Sequence, residues 1–294
     1  MQDLIEILIS ATAGGCIYAL LALAYLVVLR PTGVINFAVG DWGTVAAFGG
    51  FLALSEAALP WPVGMAVVVI AAAGLGWLTE RIAVRPLVER GAPVLAPILA
   101  LLGMLVIFRE AVSLGFGPDP RPIPQPFGYG RIEWGLLAAS YQSVFIIAVT
   151  SAVFVGAWYF FERTLAGRSF EAVALDRRAA ALMGINLARV TSCAFAAGSA
   201  LAALAALLLV PNTSAHYLMG IPLAIQGFTA LVIGGVGRTE GALVGGLILA
   251  LVEQLTMRYV PIAPGLVQGV PLLLLIVFLL VRPTGLLAAR GGSA

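Results

Sequence analysis

The chain has 294 residues, of which 61% are hydrophobic and only 10% charged. A soluble domain carries roughly a quarter charged residues, so a water-soluble globular enzyme is excluded as the class. All sixteen basic residues are arginine, and a net charge of +2 carries no signal for a nucleic-acid partner.

Crossing a bilayer takes about 20 helical residues. Apolar runs approach or exceed that length at 4–29, 44–59, 62–79, 93–114, 136–161, 190–210, 219–236, 241–257 and 267–281. Several are short, so the predicted fold is all-α: a polytopic transmembrane helical bundle of eight to nine spans, some of them broken or re-entrant. A membrane β-barrel would need alternating segments of about ten residues, and none appear. The opening Met1-Gln2-Asp3 reaches Glu6 before any base, unlike the positive start of a secretory signal. Arg30, the group 81–90, the five arginines of 162–189, and Arg238, Arg282 and Arg290 fall at alternate span ends. Arg109, Arg121, Arg131 and Arg258 lie at the opposite ends. The positive-inside rule makes the arginine-rich side cytoplasmic, which puts the N-terminus outside and the C-terminus inside. Cys16 and Cys193 both fall inside apolar spans without metal or redox spacing and read as buried small hydrophobes.

The first span ends at Arg30-Pro31-Thr32-Gly33. The stretch up to Gly43 carries Asn36, Phe37 and Asp41 at membrane depth or at its edge. Non-helical backbone at that depth must be buried by protein or line a cavity, and an ionisable group there is a functional candidate. The alternative is a plain cytoplasmic turn with Asp41 in solvent. Arg109 and Glu110 are adjacent on the fourth span, and Arg109 reads as snorkelling to the outer interface. Next comes an external stretch, 115–134, with proline at 118, 120, 122, 124 and 126. That spacing forbids a helix and favours an extended path, as either a docking surface or a stiff connector.

The internal segment 162–189 reads as a short surface helix with Ser169 as N-cap, Glu171 and Asp176 early, and Arg177 and Arg178 late. Phe170, Val173 and Ala174, then Ala180 and Ala181, recur at helical spacing. Gly184 stops this helix and Asn186 caps the next span. Beyond His216, which reads as part of an external surface loop, Gly234-Gly235-Val236-Gly237 interrupts two short apolar runs. Such paired interruptions point to a transport pathway. Glu253 either faces that pathway or sits near the outer interface beside Arg258. No catalytic or metal-binding constellation is present in the sequence. The tetrapeptide Arg-Pro-Thr-Gly recurs at 30–33 and 282–285, which is weak as a repeat.

Four stretches in order carry a family resemblance. They are Tyr18-Ala19-Leu20 with Gly33-Val34-Ile35-Asn36-Phe37-Ala38; Arg168 with Ala179-Ala180 and Gly184-Ile185-Asn186; Phe228-Thr229-Ala230 with Ile233-Gly234-Gly235-Val236-Gly237 and Gly241-Ala242; and Arg282-Pro283-Thr284-Gly285. On these the chain resembles permease subunits of ATP-binding-cassette importers of the branched-chain amino acid type. The resemblance implies a single permease domain over 1–294 that forms half of a pore and uses no cofactor. It also implies a second homologous permease, two cytoplasmic ATP-binding subunits, an external solute-binding protein and a place in the bacterial inner membrane among lipid. Segment 162–189 would be the ATPase-coupling element, through Arg168, Glu171, Ala172, Asp176, Ala179, Ala180, Gly184, Ile185 and Asn186. Asn36, Phe37, Asp41, Gly234, Gly235 and Glu253 are the expected substrate pathway. Val39 and Asp41 stand where the family commonly has histidine and glutamate, which leaves amides, urea or small aromatic carboxylates as alternatives to amino acids. A proton-coupled carrier is the competing mechanism; it would need acids or histidines paired deep in the spans.

Overall fold

A computed structural model of the chain describes residues 2–128, 130–134, 137–260, 269–282 and 284–287. Each predicted apolar stretch contains a helix. In chain order these are α1 (Gln2–Thr32), α2 (Val39–Gly50), α3 (Trp61–Thr79), the short α4 (Arg85–Glu89) and α5 (Leu95–Phe116). A hairpin of β1 (Arg131–Trp134) and β2 (Leu137–Ser140) follows, antiparallel with Arg131 opposite Ser140. Then come α6 (Tyr141–Arg163), α7 (Leu165–Leu175), α8 (Arg177–Leu182), α9 (Leu187–Thr213), α10 (Gly220–Gly234), α11 (Thr239–Tyr259) and α12 (Val270–Val281). Among the described residues six helices are long and apolar enough to cross a membrane. Their bounds are Ile7–Thr32, Trp61–Glu89, Leu95–Phe116, Tyr141–Arg163, Leu187–Thr213 and Thr239–Tyr259. The apolar α10 and α12 are shorter.

Two helices continue as π turns, α2 over Phe51–Glu56 and α3 over Glu80–Val84. The second lets one helix run from Trp61 to Glu89, beyond the predicted stop at Thr79, and carries Arg81 and Arg85 on its last turns. The helix after the first break also begins earlier than its apolar run, at Val39 rather than at 44. Asp41 thus lies in its first turn, fully buried, and not in a solvated turn.

The chain divides into two compact units, one of Met1–Leu23, Pro124–Phe154 and Ile225–Ala294, the other of Ala24–Ile123 and Val155–Ala224. In the first unit, small residues set the packing of α11. A Cβ on Gly246 would lie 2.6 Å from the Gly15 carbonyl oxygen, and one on Gly245 would meet the Ala230 carbonyl. Side chains are excluded at both positions because the backbones themselves are in contact. In the second unit α2, α3 and α9 form the core. Trp42 and Phe195 meet edge to face with ring centroids 5.8 Å apart, both fully buried. Gly76 on α3 lets the α9 backbone at Phe195 and the Ser199 side chain come close. Cys16 is buried as expected, whereas Cys193 is exposed on α9. The predicted apolar run there is a helix, but position 193 falls on its outward face.

Candidate functional site

Among the described residues three acids are buried, Asp41, Glu253 and Glu80, and each centres a polar network. The first is in the second unit. Arg109 Nη2 on α5 donates to Asp41 Oδ2 at 3.2 Å. Arg109 therefore does not snorkel: α5 turns it inward onto α2. Asp41 lies in the first turn of α2, and a Cβ on Gly220, the first residue of α10, would lie 2.7 Å from its Oδ1. Its carboxylate therefore sits at the positive ends of two helices as well as beside a guanidinium. Gly40 makes this approach possible, since a side chain there would strike the Gly220 carbonyl. Asp41 Oδ1 and Arg109 Nε keep no partner among the described residues. Asn36 is buried too; its Oδ1 accepts from the Ala38 N–H at 3.0 Å and so shapes the turn into α2. Phe37 is half-buried in that turn.

The second network is in the first unit. Tyr18 Oη on α1 donates to Glu253 Oε2 on α11 at 2.6 Å, and Gln226 Nε2 on α10 donates to Tyr18 Oη at 3.0 Å. Glu253 is buried, 7% exposed, and held by Tyr18. Tyr18 entered the sequence reading only as part of a motif, and Gln226 not at all. A hydroxyl 235 positions from its acid leaves no local signal. Gly234 and Gly235 close the turn at the end of α10, away from that network: Gly235 has φ +96° and Gly234 packs on Gly241. The 284–287 turn finishes the end of α10, with Leu286 N–H donating to Ile233 O at 2.9 Å and Leu287 N–H to Gly234 O at 3.0 Å. Both Arg-Pro-Thr-Gly copies thus end in a glycine of positive φ, +68° at Gly33 and +78° at Gly285.

The third network is at the arginine-rich end of the second unit. Glu80, 2% exposed, receives Arg85 Nε at 3.2 Å and Nη2 at 3.0 Å, and the Ser192 hydroxyl at 2.8 Å. Residues five apart do not share a face of an α-helix. The wider π turn between them brings Glu80 and Arg85 into line.

The segment between α6 and α9 is two helices, not one. Thr164 caps α7 by accepting from Gly167 N–H at 3.0 Å, while Ser169 lies inside it and donates to Leu165 O at 2.9 Å. Ser169 is therefore not the N-cap. Asp176 breaks the run and caps α8, its Oδ1 accepting from the N–H groups of Arg178 at 2.8 Å and Ala179 at 3.0 Å. Those two bonds hold its carboxyl below the usual carboxylate range. Gly184, φ +85°, ends α8, and Asn186 caps α9 through Arg189 N–H at 3.0 Å. Gly167, Phe170 and Val173 form the buried face of α7, with Phe170 edge-on to Phe160 and Phe161 at the end of α6. Arg168, Glu171, Asp176, Ala179, Gly184 and Asn186 are exposed, Ala172 and Ile185 half-buried, and Ala180 buried. Among the described residues no three His, Cys, Asp or Glu side chains converge as a metal site.

Long apolar helices, buried polar networks and an arginine-rich helical segment between two spans mark a multi-pass membrane protein. The model of the family described as branched-chain amino acid transport system, permease component, matches residues 7–279. The permease BraD of the high-affinity branched-chain amino acid transport system of Pseudomonas aeruginosa is 33% identical over 95% of this chain and 94% of its own. The corresponding permease LivH of Escherichia coli K12 is 31% identical over 93% of this chain and 92% of its own. Among solved structures, PsaBC from Streptococcus pneumoniae in complex with Fab matches in fold, with TM-score 0.52, 11% identity, and coverage of 94% of this chain and 91% of that one. The chain belongs to the branched-chain amino acid transport permease family.

Proposed function

We propose that this chain is one of two permeases lining the pore of an ATP-driven importer of branched-chain amino acids in a bacterial inner membrane. Its N-terminus is outside and its C-terminus cytoplasmic. Its partners are a second homologous permease, two cytoplasmic ATP-binding subunits and an external solute-binding protein. One permease domain spans both compact units, in keeping with a family match that runs across them. The substrate class follows from the names of the relatives, BraD and LivH.

The observation that carries the reading is the outer face of α7 and α8. Leu165, Leu175, Leu182 and Met183 are 82%, 84%, 89% and 84% exposed on a segment that lies between two spans. Large apolar side chains left bare together outside the spans mark a protein interface. Arg168, Glu171 and Asp176, all exposed, supply a charged rim around them. Apolar anchors ringed by charge suit a cleft on a water-soluble ATPase better than a lipid headgroup layer. Asn36, Phe37, Asp41, Gly234, Gly235 and Glu253 remain the proposed pathway residues.

The test is co-purification with the importer's cytoplasmic ATPase subunits, expected in the neighbouring reading frames. The wild-type complex is expected to survive, and Leu182→Asp with Met183→Asp to lose at least tenfold of the bound ATPase, on the order of a lost interface hot spot. Unchanged ATPase recovery in that variant, or ion-driven uptake by the purified chain alone, would overturn the reading.

A further inference from the structure

The last carbonyls of a helix have no partner within it and carry the negative end of its dipole. At the end of α1 the Leu29 carbonyl is satisfied by Gly33 N–H at 2.8 Å. The Pro31 and Thr32 carbonyls are satisfied from elsewhere in the chain. Arg177, the first residue of α8, donates through Nη1 to Pro31 O at 3.1 Å and to Thr32 O at 3.3 Å. The helix's own Arg30 lies over the Phe161 ring, 5.6 Å from its centroid. A side chain from α8 therefore closes the end of the first span, one residue before the chain leaves helix at Gly33 and begins its path to Asn36 and Asp41.

Three features make this contact more than a surface bond. The residue before Arg177 is Asp176, which breaks α7 from α8, so α8 is a separate piece with its own N-cap. Gly33, φ +68°, follows the bonded carbonyls directly and is exposed with open space around its Cα. Finally, a cavity of about 170 Å³ lies under the contact, lined by Thr32, Val34, Val84, Arg85, Arg177 and Leu187 among others. The end of α1 is thus held from one side and left unpacked on the other.

We propose that Arg177 is a positioning residue for transport. It ties α8 to the C-terminal carbonyls of α1, so that a displacement of α8 by the ATPase pulls on the α1–α2 break and, through it, on the buried Asp41 turn. The inference rests on the ATPase-coupled reading above. The guanidinium acts as a strap, not as a contact for the ATPase. Its demand is for a donor long enough to reach two backbone oxygens. Arg178, its exposed neighbour, offers the same charge without those bonds and serves as the control.

The experiment uses the reconstituted importer, complete with ATPases and binding protein, and reads leucine moved per ATP hydrolysed. In Arg177→Ala the ATPases are expected to co-purify and hydrolyse normally. Leucine per ATP should fall on the order of tenfold, the size of a typical coupling between distant sites. Arg177→Lys, which can still donate to the same carbonyls, should recover most of that ratio, and Arg178→Ala should keep it. A second readout follows the break itself in a background with Cys16→Ala and Cys193→Ala. The rate at which a water-soluble maleimide labels Ile35→Cys should change between nucleotide-free and vanadate-trapped complexes. Adding Arg177→Ala should remove that change. An unaltered leucine-to-ATP ratio in Arg177→Ala, an equal loss in Arg178→Ala, or labelling that still responds to nucleotide would each overturn the strap. Loss of ATPase co-purification in Arg177→Ala would also overturn it, by making Arg177 a docking residue. Failure of the wild-type complex to co-purify at all would instead remove the ATPase-coupled reading on which the strap depends.

Discussion

Asp41 and Glu253 are both buried acids in a membrane bundle, and the chain keeps them by opposite means. Asp41 has a guanidinium 3.2 Å away and two helix N-termini beside it. Glu253 has a phenol and, through it, an amide, and forms no ion pair among the described residues. The first arrangement compensates a charge with a charge. The second surrounds an acid with neutral hydrogen-bond groups that suit either protonation state. Asp41 is thus built into the start of α2 and the approach of α10, whereas loss of a neutral member of the Glu253 network removes no counter-charge.

Breaking each network measures that difference. The largest effect belongs to Arg109→Ala, which leaves a fully buried carboxylate beside no cation. It should cost about 3–5 kcal/mol in the denaturation of the purified complex. Adding Asp41→Ala to it should restore part of the loss, and a double variant worse than the single would contradict the pairing. Tyr18→Phe removes one hydrogen bond from the other network and should cost about 1 kcal/mol. A loss as large as that of Arg109→Ala would mean that Glu253 depends on a charge. The smallest effect is expected at Asp176. Its carboxyl titrates below the usual carboxylate range, so its cap is complete above that range and disappears as pH falls through the lowered value. Asp176→Asn keeps the cap and should not share that dependence. The check is the protection of the Arg178 and Ala179 amides from hydrogen exchange, relative to the Asn variant, as pH is lowered.

The parts legible in the sequence are those set by local pattern. Apolar runs located the spans, arginine spacing marked the segment between α6 and α9, and Gly184 and Asn186 announced the end of one helix and the start of another. The misreadings were of two kinds. One was competition between equally good local signals: Ser169 is a sound N-cap residue, but Thr164 and Asp176 stand where the chain breaks. The other was tertiary. Whether Arg109 reaches the interface or turns inward is decided by α2, 68 positions away, and no spacing rule connects them. The π turn after Thr79 belongs to the same class, because the Glu80–Arg85–Ser192 network that it serves draws on α9. The helix start at Val39 was hidden because Gly40, Asp41 and Gly43 look like loop residues. Here they are the small and charged groups that let α10 come close.

The bond from Tyr18 to Glu253 has a bearing on biosynthesis. The chain is made from its N-terminus, so α1 enters the membrane with its phenol long before α10 and α11 exist to receive it. Leu286 and Leu287, which complete the end of α10, are made later still. The first compact unit joins residues 1–23 to 225–294, so it cannot finish early, whereas every residue of the second has been made by Ala224. The N-terminal part of α1 must therefore wait in the bilayer for its partners until most of the message has been read. A ribosome stalled before α11 would therefore leave an inserted but unfinished permease, a form for membrane quality control to clear.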